Sequence, residues 1–157
     1  MLSEPERAVL RCLEIFMGGF TLDAACAVVS DPGLLKRDVI DAVTELVEKS
    51  LAVVETAETE PRLRLLETTR TYALERLAES GEWEAVARRH AEYYRNLFER
   101  AEGEAAARPA DEWLADYALE MTFARRARLG LFTGRRTDRG GADHRRGAAV
   151  DALVAAV

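Results

Sequence analysis

LAVVETAETEPRLRLLETTRTYALERLAES, residues 51–80, is the stretch whose reading decides the fold. Two short apolar-alternating runs, 51–55 and 62–66, flank a polar connection at 56–61, the pattern of two strands joined by a brief wing. The second run passes straight into a helix. There Leu66, Thr69, Tyr72, Ala73 and Leu77 recur at three-and-four spacing, which predicts one buried face. A two-stranded ribbon is marginal in water on its own, so helices on either side must cover it.

Upstream, Ser3-Glu4-Pro5-Glu6 opens a helix: Ser3 can cap, Pro5 suits the first turn and Glu6 completes a capping box. Val9, Leu10, Leu13, Ile15, Phe16 and Met17 follow, more than one face wide. Gly18-Gly19 is expected to end the helix, one glycine taking a positive φ. Thr21 caps a second helix with Leu22, Ala25, Cys26 and Val29 inward, and Asp31-Pro32-Gly33 reads as a turn. A third helix spans about 35–49, with Val39, Ile40, Val43, Leu46 and Val47 as its stripe. Three helices followed by a two-stranded wing is the order of a winged helix-turn-helix.

Downstream, Ser80-Gly81-Glu82 is a break. A fifth helix over about 83–101 sets Trp83, Val86, Ala87, Tyr94, Leu97, Phe98 and Ala101 on its apolar side. His90, beside Arg88, Arg89 and Glu92, is expected to be a surface or half-buried histidine. Pro109 leads a sixth helix in which Trp113, Leu114, Tyr117, Ala118 and Met121 face one way, like the first unit of a helical array. The expected fold is therefore mainly α. It comprises a winged helix-turn-helix over 1–80, an α-helical repeat-like extension over 82–121, and a tail over 122–157.

That tail differs from the rest in charge. Residues 1–121 carry 14 basic and 25 acidic side chains, a balance of −11, while residues 122–157 carry 8 Arg, no Lys and 3 Asp, a balance of +5. An Arg-, Gly- and Ala-rich segment can be a basic tail for nucleic acid. It is also what out-of-frame translation of a GC-rich gene yields, and the abrupt loss of Lys and Glu fits that second reading. Little stable structure is expected there.

Whether the winged helix reads DNA is a question of charge. A reading helix offers Arg, Lys, Asn or Gln to the major groove. Here the exposed side of the third helix offers basic groups only at its ends, Lys36, Arg37 and Lys49, with Asp38, Asp41, Glu45 and Glu48 between them. The wing adds Glu58 and Glu60, again repulsive to phosphate. The expectation is a protein-packing module. The alternative is a free-standing transcription factor contacting DNA through Lys36, Arg37, Lys49 and the tail arginines.

Other chemistry is thinly supported. Cys12 and Cys26 lack CxxC spacing and sit among apolar helix neighbours, so buried thiols are expected. With His90 and His144 they give no zinc-ligand spacing. Tyr93, Tyr94 and Phe98 read as core aromatics flanked by Glu92 and Glu99. No nucleophile, base and acid are placed together, so catalysis is not expected. No apolar run approaches the ~18 residues of a membrane span. The start, MLSEPERAVLRCLEIF, carries early acids and no signal-peptide cleavage pattern, so a cytoplasmic location is expected.

Five phrases carry a family resemblance: LSEPERAVLRCLEIFMGGFTLDAACAVV (2–29), DVIDAVTELVEKSLAVVE (38–55), RLRLLETTRTYALERLAESGE (62–82), RRHAEYYRNLFERAE (88–102) and WLADYALEM (113–121). Together they resemble the bacterial signal-transduction ATPases with numerous domains, the STAND or NB-ARC-like regulators. The matching part is the winged helix that follows the nucleotide-binding domain, with the start of the helical repeats. The resemblance implies a regulatory packing element that closes over the nucleotide-binding core, that core being its partner. Related proteins place a Met-His-Asp motif where this chain has Leu65-Leu66-Glu67, of which only the acid is kept. Glu67 and Arg70 are accordingly candidates for a polar latch to the core. No GxxxxGK[ST] phosphate loop occurs, and Gly130–Thr137, GLFTGRRT, lacks its first Gly spacing and its Lys. No cofactor is expected in this chain, and ATP or ADP would bind a phosphate-loop domain outside it.

Overall fold

A computed structural model of the chain describes residues 1–55 and 60–122. They comprise α1 (Glu4–Leu13), α2 (Leu22–Val29), α3 (Lys36–Glu48), β1 (Ala52–Glu55), β2 (Arg62–Leu65), α4 (Glu67–Ser80), α5 (Trp83–Ala105) and a sixth helix, α6 (110–122). Residues Met1–His90 form one compact unit, and a second begins at Ala91 within α5. The tail readings over 122–157 and the Glu58 part of the wing fall almost wholly outside the described residues.

The capping chemistry of α1 is as its sequence requires. The Glu6 N–H donates to Ser3 Oγ (3.4 Å), and the Ser3 N–H donates back to Glu6 Oε2 (3.1 Å). The helix stops at Leu13, earlier than its apolar residues suggested. Ile15 and Phe16 lie in tight turns beyond it, their N–H groups donating to the carbonyls of Cys12 and Leu13. This explains why the apolar run was too wide for one helix face. Both side chains are buried, but from a different backbone path. The positive φ angles among the described residues fall at Ser50 and Gly81, so the expected left-handed glycine at Gly18-Gly19 is absent.

Thr21 caps α2 by accepting from the Ala24 N–H (3.1 Å). Asp31–Leu34 closes as a tight turn through paired backbone bonds, with Asp31 Oδ1 also accepting from the Gly33 N–H. α3 buries Val39, Ala42, Val43 and Leu46. Ile40, expected inward, is 40% exposed, because the buried stripe is centred on Val39, Val43 and Leu46, away from it. The chain leaves α3 through Ser50 at φ +56°.

β1 and β2 pair antiparallel, Ala52 opposite Leu65 and Glu55 opposite Arg62. A further pairing went unread in the sequence. Phe20 and Leu63 exchange two backbone hydrogen bonds (2.9 and 2.8 Å), so β2 is flanked on both sides. α4 turns Thr69, Ala73 and Leu77 into the core and ends at Gly81 in the left-handed conformation, φ +74°. Tyr72, expected inward, is 43% exposed: it lies one residue off the Thr69-Ala73-Leu77 row, about 100° around the helix.

The first turns of α5 belong to the same unit. Arg11 pairs with Glu82 just before the helix (Nη2 to Oε1, 3.1 Å), and Arg89 Nε donates to the Val28 carbonyl at the end of α2 (2.6 Å). His90, expected at the surface or half-buried, is fully buried instead, its ring and that of Phe16 meeting T-shaped at 5.1 Å. Cys12 and Cys26 are buried thiols, and burial pushes Cys12 up to about 11.

In the second unit, α6 lies along the later part of α5. Trp113 Nε1 donates to the Ala101 carbonyl (2.7 Å), and Tyr117 Oη donates to Glu104 (2.9 Å). Arg108 joins Glu104 to Asp116. The expected single face is split, since Leu114, Ala118 and Met121 are exposed while Trp113 and Tyr117 turn to α5.

Candidate functional site

The surface to judge is the outer side of α3, where a winged helix meets its target. Asp41, Thr44, Glu45 and Glu48 are exposed along it, with Ile40 at its flank. Thr44 points its hydroxyl back to the Ile40 carbonyl (2.9 Å), a use that satisfies it locally. Asp38 serves the helix itself, its Oδ2 accepting from the Leu35 N–H (3.0 Å).

The basic groups at the two ends are differently placed. Lys49 Nζ lies 2.8 Å from Glu6 Oε2 on α1 and 3.0 Å from Glu45 Oε2 one turn back. The hydrogen bond from Lys49 holds the Glu6 carboxyl below the usual range, and the two acids hold the Lys49 ammonium above its own. Arg37 Nε sits 3.5 Å from Asp38. Lys36 and Arg37 are exposed at the start of the helix, distant along it from Lys49. The structure thus gathers the three residues of the DNA-reading alternative onto one helix without bringing them together. On the wing, Glu60 is exposed, and Arg64 pairs with Glu55 (2.7 Å).

Glu67 and Arg70 share the first turn of α4. Glu67 is exposed, while Arg70 reaches inward to Glu14 Oε1 (3.1 Å). Sequence reading passed over Glu14, whose signal was available: it is the lone acid in the apolar run Leu13–Met17. It also passed over Glu6 as a partner for Lys49, a pairing that no local spacing encodes. Among the described residues no group of three or more His, Cys, Asp or Glu is placed to hold a metal, and no helix is long and apolar enough to cross a membrane.

Three helices followed by a two-stranded wing define a winged helix-turn-helix domain. In agreement, residues 2–78 match the family described as the winged helix-turn-helix domain. The chain is similar to a Mycobacterium tuberculosis (H37Rv) protein provisionally named HTH-type transcriptional regulator Rv0890c. The two are 45% identical over 97 residues, 62% of this chain and 11% of the relative. The Mycobacterium bovis protein of the same provisional description, Mb0914c, matches to the same extent. A second relative, uncharacterized protein Rv0894 of M. tuberculosis, is 45% identical over 91 residues, 57% of this chain and 23% of that protein. The chain thus spans between about a tenth and a quarter of the curated relatives it matches. No solved structure matches it.

Proposed function

We propose that this chain is the winged-helix portion of a longer regulator, and that its winged helix packs on protein instead of reading DNA. A regulatory role is supported by the winged helix-turn-helix match and by relatives bearing the name of transcriptional regulators. The observation that carries the packing reading is the outer face of α3. Its middle is acidic, and Lys49 is held by Glu6 and Glu45. Non-specific DNA affinity comes from cations neutralising phosphates, and a face of this sign repels them.

The resemblance to STAND regulators supplies the finer form of the proposal. The winged helix couples nucleotide state to output by packing against a nucleotide-binding domain, and it performs no catalysis itself. ATP or ADP binds that partner domain. Within this scheme residues 1–80 are the packing module, residues 82–121 start a tetratricopeptide-like array, and Glu67 and Arg70 lie at the contact. The protein works in the cytoplasm.

The second reading, DNA contact through Lys36, Arg37 and Lys49, draws on the printed names of the relatives. A titration with random duplex at two salt concentrations separates the two. We expect Lys36→Ala with Arg37→Ala to leave DNA affinity unchanged, whatever the tail contributes. Asp41→Lys with Glu48→Lys should raise affinity and steepen the salt dependence by about two phosphates. Tight binding by the native chain that the double alanine variant abolishes would overturn the packing reading.

A further inference from the structure

Glu14 is the residue immediately after α1, and the fold buries it: its side chain is 5% exposed. Oε1 accepts one hydrogen bond, from Arg70 Nη2 at 3.1 Å, and Oε2 has no hydrogen-bond partner among the described residues. The same Nη2 also meets Met17 Sδ at 3.4 Å. A carboxylate and a guanidinium can form two parallel bonds, so this pair is half-made. A buried acid satisfied on one oxygen is costly to keep ionised. Of the charged groups acting on Glu14, both sit on α4 and oppose each other, Arg70 favouring the ionised form and Glu67 disfavouring it. Burial outweighs them and holds the carboxyl above the usual range.

We propose that the Glu14–Arg70 pair is a proton-operated latch between the end of α1 and the first turn of α4, closed while Glu14 is ionised and open once it carries a proton. The proton comes from solvent and settles on Oε2, the oxygen with no bond to lose. The charge that held the guanidinium is then gone. Arg70, at 19% side-chain exposure, is the partner able to turn toward water, whereas Glu14 is not. α4 keeps its buried Ala73 and Leu77, so only its first turn, Thr69 included, is released. This inference stands whether α3 meets protein or DNA.

The test uses the full chain, with pH lowered from about 8 until the Glu14 titration is complete. Carboxyl ¹³C resonances follow Glu14, while amide exchange, corrected for intrinsic rates, follows residues 70–72, the first amides of α4 bonded across its first turn, with Val43 and Leu46 of α3 as reference. We expect exchange at 70–72 to rise about tenfold as Glu14 titrates, the factor that losing one charge-assisted hydrogen bond implies. In His90→Phe, where no buried imidazole adds its own pH dependence, the α3 amides should stay protected. Glu14→Gln should exchange fast at 70–72 at every pH, and Glu4→Gln should follow the native profile. A flat native profile across the Glu14 titration would overturn the latch. So would native-like protection in Glu14→Gln, or α3 amides that open together with those of α4 in His90→Phe.

Discussion

Buried against the edge of Phe16, His90 titrates at about 4, because burial penalises the imidazolium. The unfolded chain takes up this proton near the ordinary value of 6.5, and the folded chain does not. Stability is therefore full above about 6.5 and declines as pH falls toward 4, by up to about 3 kcal/mol. Urea midpoints measured across that window should show the decline, and His90→Phe should flatten it. The capping residues Ser3, Glu6 and Thr21 were legible because a cap is a local contract between neighbours. His90 was not, since its charged neighbours Arg88, Arg89 and Glu92 suggested a surface. The better signal was its spacing from Val86, Tyr94 and Leu97, all of which are buried. Ile40 and Tyr72 are the converse case: each is apolar in type, yet each sits off the buried row of its helix and is exposed.

Among elements, the two-stranded wing was readable from alternation, whereas the Phe20 pairing to β2 was not. A single residue has no periodicity, and its partner Leu63 is remote in sequence. Phe20 is 1% exposed and its ring lies 5.0 Å from that of Phe16, so it links the sheet to the turns after α1. Phe20→Ala should cost about 3–5 kcal/mol, read as a lower denaturant midpoint. The near-neutral comparison is Ile40→Ala, which removes a side chain that the fold leaves 40% exposed. The acidic charges of the α3 face were legible, since a helix displays its charges at fixed angles, but Ile40 at its flank was not. The commitment of Lys49 to Glu6 was not, because it depends on how α1 and α3 cross.

At the scale of the chain, the turn at Gly81 was plain in the sequence, yet the first turns of α5 fold back onto the winged helix. They do so through Arg11–Glu82, Arg89 to the Val28 carbonyl, and the buried Val86 and His90. No local pattern announces this, as each tie joins residues far apart in the chain. A chain shortened to residues 1–90 should unfold in one cooperative transition, and one ending at residue 80 should melt lower, checked by circular dichroism. The pairing of Phe20 with Leu63 adds a temporal consequence. On the ribosome the first three helices can emerge and collapse early, but the sheet has no centre until β2 is out of the exit tunnel. A nascent chain arrested before that point should remain sensitive to protease at Phe16 and Phe20, and become resistant only after β2 and its covering helices have been synthesised.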